Sequence, residues 1–132
     1  MKIQISTEYA IRILHFLNMH EGMHTAMSIS SAIDVTYPFF IKIANQLKKS
    51  GFLHSVQGRN GGYVLGKCAH TISLYDVYLC MEGELQISHC TAKGALCTHG
   101  KMHDCKLYET WHILKSKMIE EMSNQRIADL AR

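Results

Sequence analysis

The strongest constraint on the fold is a change of hydrophobic period at Gly51. Before it, apolar residues recur at helical spacing. Phe40, Ile43, Ala44 and Leu47 form an i, i+3, i+4, i+7 stripe. Lys48 and Lys49 suit the negative end of that helix, and Gly51 suits the position just beyond it. After Gly51 the helical period is gone. Phe52 to Val56 and Tyr63 to Leu65 read as short strands around Gln57-Gly58-Arg59-Asn60-Gly61-Gly62, a turn segment, so a hairpin is expected.

Two helices precede the stripe. The first spans about Ser6 to His20, with Ser6 as N-cap and Ala10, Ile13, Leu14 and Leu17 inward. Thr25 caps a short second helix, Asp34-Val35 is a turn, and Thr36 caps the third helix with Pro38 in its first turn. Three helices followed directly by a two-stranded hairpin is the order of a winged helix-turn-helix. The fold class expected is mainly α with a small β-hairpin, plus a long C-terminal helix.

That order suggests DNA reading. Tyr37, Lys42, Asn45 and Lys49 fall on or near the face of the third helix opposite its apolar stripe. In a major groove Asn pairs with adenine edges and Lys contacts guanine or phosphate. Arg59, at the hairpin tip beside Asn60 and Gly61, is placed as a minor-groove probe. Gly61 and Gly62 would let the backbone turn tightly beside phosphates. Charge agrees: through residue 68 there are seven Lys/Arg against three Asp/Glu, and afterwards seven against eight.

Downstream, Ser73 and Asp76 form a capping box for a helix from about Leu74 to Glu82, ended by Gly83. Residues 84–104 show no period. Asp104 is the expected cap of a final helix, about Cys105 to Met122, with Leu107, Trp111, Leu114, Met118 and Met122 as a seam close to a coiled-coil repeat. Ile127 to Leu130 add a helical turn. The expected division is a DNA-binding domain over 1–83, a cysteine loop over 84–104, and a dimerisation helix and tail over 105–132.

The chain has 132 residues, 47% of them apolar, which is enough for one core without disulfide staples. No apolar run reaches the length of a membrane span and no secretory leader is seen, so a cytoplasmic protein is expected. Five cysteines, an odd count, point there to metal or redox use. Cys90, Cys97 and Cys105 are spaced C-x6-C-x7-C in or beside the irregular segment. Soft sulfur donors select zinc, copper(I) or iron–sulfur clusters. The tight cysteine pairs usual in structural zinc sites are absent, which favours a cluster. Cys68 and Cys80 read as small packing residues. Glu8, His89, His99 and His103 are candidate fourth ligands.

Ile5-Ser6-Thr7-Glu8-Tyr9-Ala10, Gly51-Phe52-Leu53, Gly61-Gly62-Tyr63-Val64-Leu65, Ile72-Ser73-Leu74-Tyr75-Asp76-Val77 leading to Glu82-Gly83, and Ile127-Ala128-Asp129-Leu130 resemble the Rrf2 family of bacterial transcription regulators over nearly the whole chain. The resemblance implies a homodimer paired through the last helix, on a near-palindromic double-stranded operator. In cluster-binding members three cysteines hold a 2Fe–2S or 4Fe–4S cluster, a role that falls here to Cys90, Cys97 and Cys105. Some members take a fourth ligand from an acidic residue in the partner's first helix, which Glu8 matches. Others use a histidine where this chain has Tyr108. Asn60 replaces a common wing glycine and is expected to tolerate left-handed backbone. Ile41 stands where many members carry a polar residue.

The expected function is a dimeric repressor sensing nitric oxide, iron or iron–sulfur status. The alternatives are a cluster-free or zinc-binding, thiol-responsive member, and, outside this class, a redox or cluster-carrier protein. No phosphate loop, nucleophile elbow or H-E-x-x-H occurs, so no enzyme is expected.

Overall fold

The structure is a computed structural model that describes residues 2–97 and 104–130. The elements in order are α1 (Ile5–Met19), α2 (Ala26–Ala32), α3 (Tyr37–Lys49), β1 (Leu53–Val56), β2 (Gly62–Leu65), α4 (Leu74–Glu82) and α5 (Lys106–Asn124). Three-residue 3-10 turns lie at Ala69–Thr71 and His89–Thr91, and a longer one, Ile127–Leu130, follows α5.

The sequence expectations hold for three caps. Thr25 Oγ1 accepts from the Ser28 amide at 3.1 Å, Thr36 Oγ1 from the Phe39 amide at 3.4 Å, and Ser73 and Asp76 form the capping box of α4. Ser6 is not the cap of α1. The N-cap is Gln4, which makes no side-chain cap bond. The Glu82 carboxylate, at the far end of α4, accepts instead from the Gln4 amide at 3.2 Å and from the buried Thr7 hydroxyl. A carboxylate there satisfies a free N–H and faces the positive end of the α1 dipole. Nor does Asp104 cap α5, whose N-cap is Cys105, without a side-chain cap bond.

The hairpin is antiparallel, with Leu53 opposite Leu65 and Val56 opposite Gly62. It gains a further rung from the loop before α2. His24 and Tyr63 exchange backbone hydrogen bonds of 3.2 and 2.8 Å. The wing is thus tied to the helical body on both sides.

The core joins both periodic stripes. Ala10, Ile13 and Leu14 of α1 meet Phe40, Ile43, Ala44 and Leu47 of α3, all fully buried. Ile127 completes it, although it lies beyond α5. The chain returns there because residues 125–127 pair with 72–74. The Leu74 amide donates to the Gln125 carbonyl and the Ile127 amide to the Ile72 carbonyl, each at 2.9 Å.

Helix α5 behaves differently. Lys115 is its only buried residue, while Leu107, Leu114 and Met118 of the expected seam are 55%, 45% and 40% exposed.

Candidate nucleic-acid interface and cysteine segment

Burial of the α3 stripe forces the remaining side chains outward. Tyr37, Pro38, Lys42, Asn45, Lys48 and Lys49 are exposed, while Ile41 is half-buried. Gln46, not singled out in the sequence, joins Lys42 in lining a cavity of about 800 Å³ between α3 and the N-terminal segment. Its i+4 spacing from Lys42 was the available signal. Glu8, exposed on the first turn of α1, lines the same cavity together with Lys2 and Met81.

A smaller cavity of about 210 Å³ lies between the first turn of α3 and the wing, lined by Thr25, Tyr37, Ser55, Gly61 and Tyr63 among others. Tyr63 packs edge-on against Phe40 with ring centroids 5.3 Å apart. Burial pushes its phenol pKa above the ordinary value, and the neighbouring Tyr37 adds to the shift. Tyr63 therefore remains a neutral hydrogen-bond donor throughout the physiological range.

At the wing tip Arg59 and Asn60 are exposed. Asn60 does not take a left-handed conformation, whereas Gly58 in the same turn has a φ of 107°. The glycine requirement at 61 and 62 comes from the protein itself. A Cβ on Gly61 would lie 2.0 Å from the Val56 carbonyl oxygen, and one on Gly62 would lie 2.6 Å from that of His24. Gly61→Ala is expected to cost about 1–3 kcal/mol, as overpacking does. DNA affinity should fall while the helical circular dichroism is kept.

Cys90, Cys97 and Cys105 are half-buried. Cys90 sits in the His89–Thr91 turn, where its amide donates to Ser88 Oγ at 3.2 Å. Cys105 heads α5. Among the described residues no group of three or more His, Cys, Asp and Glu is drawn together as a metal site, so the three thiols are not gathered in this arrangement. Of the candidate fourth ligands, His89 is exposed in the same turn, and His99 and His103 lie outside the described residues. Tyr108 bonds to His112 Nε2 at 2.8 Å.

The other two cysteines differ from each other. Cys80 is half-buried between α3 and α4, accepting from Ser50 Oγ at 3.1 Å and donating to the Gln46 carbonyl at 3.4 Å. Cys68 is exposed, not packed as expected, because it lies on the surface connection just before the Ala69–Thr71 turn.

Sequence reasoning missed Lys115. Its ammonium donates to Glu84 Oε1 at 3.1 Å and to the Thr91 carbonyl at 3.2 Å, joining α5 to the cysteine segment. A lysine on a helix gives no sequence signal that it will be buried.

A helix with an apolar inner face and a polar outer face, flanked by a glycine-pinned wing, is the arrangement of a winged-helix fold. The profile of the Rrf2 family, described as iron-dependent transcriptional regulator, matches residues 3–132, and the chain belongs to that family. Solved structures agree in fold. IscR of T. potens superposes with a TM-score of 0.77 at 22% identity, over 98% of this chain and 85% of that one. CymR, the global cysteine regulator of B. subtilis, gives 0.79 at 22% identity over 99% and 96%. The oxidized form of CymR from Staphylococcus aureus gives 0.78 at 22% over 100% and 97%. No helix among the described residues is long and apolar enough to cross a membrane.

Proposed function

We propose that this regulator is a cytoplasmic homodimeric repressor whose DNA binding responds to an iron–sulfur cluster held by Cys90, Cys97 and Cys105. The carrying observation is the donor set: three half-buried cysteines in the segment that links α4 to α5. Soft sulfur donors of this number fit a 2Fe–2S or 4Fe–4S cluster. When bound, such a cluster supplies sensitivity to nitric oxide, oxygen or iron supply. Glu8 is the proposed fourth ligand, given by the partner subunit. It shares a cavity with Lys42, so a tie at Glu8 would act next to the recognition helix.

In this reading 1–83 reads DNA, 84–104 senses and 105–132 pairs the protomers. The exposed Leu107, Leu114 and Met118 support the pairing role. Lys42, Asn45, Lys49 and Tyr37 beside Pro38 enter the major groove, and Arg59, Asn60 and Gly61 approach the minor groove of a near-palindromic operator.

A second reading is a cluster-free regulator that responds through its thiols, or through zinc. Two observations favour it. The three cysteines are not gathered among the described residues. The fold also matches that of CymR, the global cysteine regulator of B. subtilis.

Anaerobic purification with iron and sulfide analysis separates the two. The cluster reading expects a coloured protein with iron and acid-labile sulfide. Colour should be lost on replacing Cys90, Cys97 or Cys105 by Ala and kept in Cys68→Ala and Cys80→Ala. Glu8→Ala should alter the visible spectrum. A colourless protein with stoichiometric zinc, or with no metal, overturns the cluster reading. Retarded migration of operator DNA in a gel excludes a mere cluster carrier.

A further inference from the structure

The chain has four asparagines, and only Asn60 is followed by glycine. Asn18 lies in α1, Asn45 in α3 and Asn124 at the end of α5, where helical bonds hold the backbone. Asn60 lies in the wing turn, between the end of β1 at Val56 and the start of β2 at Gly62. Residues 56–60 are all exposed. The bond that closes the turn runs from the Gly61 amide to the Gly58 carbonyl, at 3.0 Å.

This pair has a chemistry of its own. The Asn60 side-chain carbon Cγ and the Gly61 backbone nitrogen are placed by covalent connectivity to close a succinimide ring. Glycine, with no Cβ, leaves that nitrogen open to approach. Ring closure draws the Gly61 amide away from Gly58, at the cost of an exposed hydrogen bond whose place water can take. Gly61 cannot be exchanged for a bulkier, slower partner, because a Cβ there would meet the Val56 carbonyl oxygen at 2.0 Å. The packing of the wing therefore fixes the glycine half of the pair.

We propose that Asn60 is a site of spontaneous deamidation that lowers the affinity of the wing for DNA phosphates as the protein ages. The Gly61 nitrogen gives its proton to solvent and attacks Asn60 Cγ. The new C–N bond forms as the side-chain nitrogen leaves as ammonia. Water then opens the succinimide at either carbonyl, and the Gly61 nitrogen regains a proton. Opening at Cγ gives aspartate. Opening at the backbone carbon gives isoaspartate, which lengthens the turn by one carbon. Either product sets a carboxylate next to Arg59, so the tip changes from cationic to neutral. A carboxylate there repels phosphates and competes with them for the guanidinium. The loss of affinity rests on the reading of the wing as part of the DNA interface; the chemistry at residue 60 does not.

The test incubates full-length protein at physiological pH and temperature and samples it over days. Peptide mapping by mass spectrometry reads the exchange of amide for acid, and an isoaspartate methyltransferase reads isoaspartate. Residue 60 is expected to convert ahead of Asn18, Asn45 and Asn124. The aged protein should bind a labelled random-sequence duplex about tenfold more weakly than fresh protein, and freshly prepared Asn60→Asp should show a similar loss. In both, the slope of log affinity against log salt should flatten by about 2 for the proposed dimer. Asn60→Gln, whose longer side chain closes a larger ring far more slowly, should hold its own starting affinity through the same incubation.

Conversion at residue 60 no faster than at the helical asparagines overturns the proposal. So does conversion with undiminished affinity where Arg59→Ala weakens binding. Undiminished affinity in Arg59→Ala as well overturns the proposal together with the wing reading.

Discussion

Affinity of the proposed dimer for its operator is expected to fall by about 10⁴-fold between 50 and 200 mM salt. Each protomer exposes Lys42, Lys48 and Lys49 on α3 and Arg59 on the wing. If all eight cations of the two protomers neutralise phosphates, the slope of log affinity against log salt is about −7. Arg59→Ala removes two of the eight, so the slope should flatten to about −5. Fluorescence anisotropy of a labelled operator at several salt concentrations measures both slopes. The loss in Arg59→Ala should be greatest where the flanks are A·T-rich and the minor groove is narrow. A slope unchanged by Arg59→Ala would remove the wing from the interface. Equal affinity for operator and random duplex at physiological salt would refute sequence-specific regulation.

The second large effect is on stability. Phe40 is fully buried where α1 and α3 meet the wing through Tyr63. Phe40→Ala should cost about 3–5 kcal/mol through lost burial and the cavity left behind. At about 4 °C per kcal/mol for a chain of this size, Tm should fall by about 12–20 °C. Ile127→Ala should cost about 2–5 kcal/mol, although Ile127 belongs to a four-residue turn near the end of the chain. Met27→Ala serves as the control, since Met27 is 63% exposed and should change stability by no more than about 0.5 kcal/mol. Thermal unfolding followed by circular dichroism checks all three. A small effect for Ile127→Ala would mean that the last turn is not part of the cooperative core.

Much of this was legible because it depends on near neighbours in the chain. The stripes of α1 and α3 were read correctly since burial follows a period of 3.6 residues whatever the partner is. Thr25, Thr36 and Ser73 were readable as caps because each bonds an amide three residues ahead. The outward face of α3, with Lys42, Asn45 and Lys49, follows from the buried one. Ser6 failed as the cap of α1 because the helix begins one residue before it, with Gln4 as N-cap and its amide held by Glu82, far along the chain. Cys68 failed as a packing residue because its exposure depends on where the chain runs after the wing, which composition does not encode.

By itself the sequence determined the helix–helix–helix–hairpin order, the caps made within one turn, the outward face of α3 and the spacing of the cysteines. These rest on local hydrogen bonds and on periodicity. Only the tertiary structure decided that Gly61 and Gly62 are required by the carbonyls of Val56 and His24, that Ile127 closes the core, and that Lys115 is buried against Glu84 and Thr91. Each of these joins groups that no local period relates, and the energy of such a contact exists only once the rest of the chain has brought its partners together.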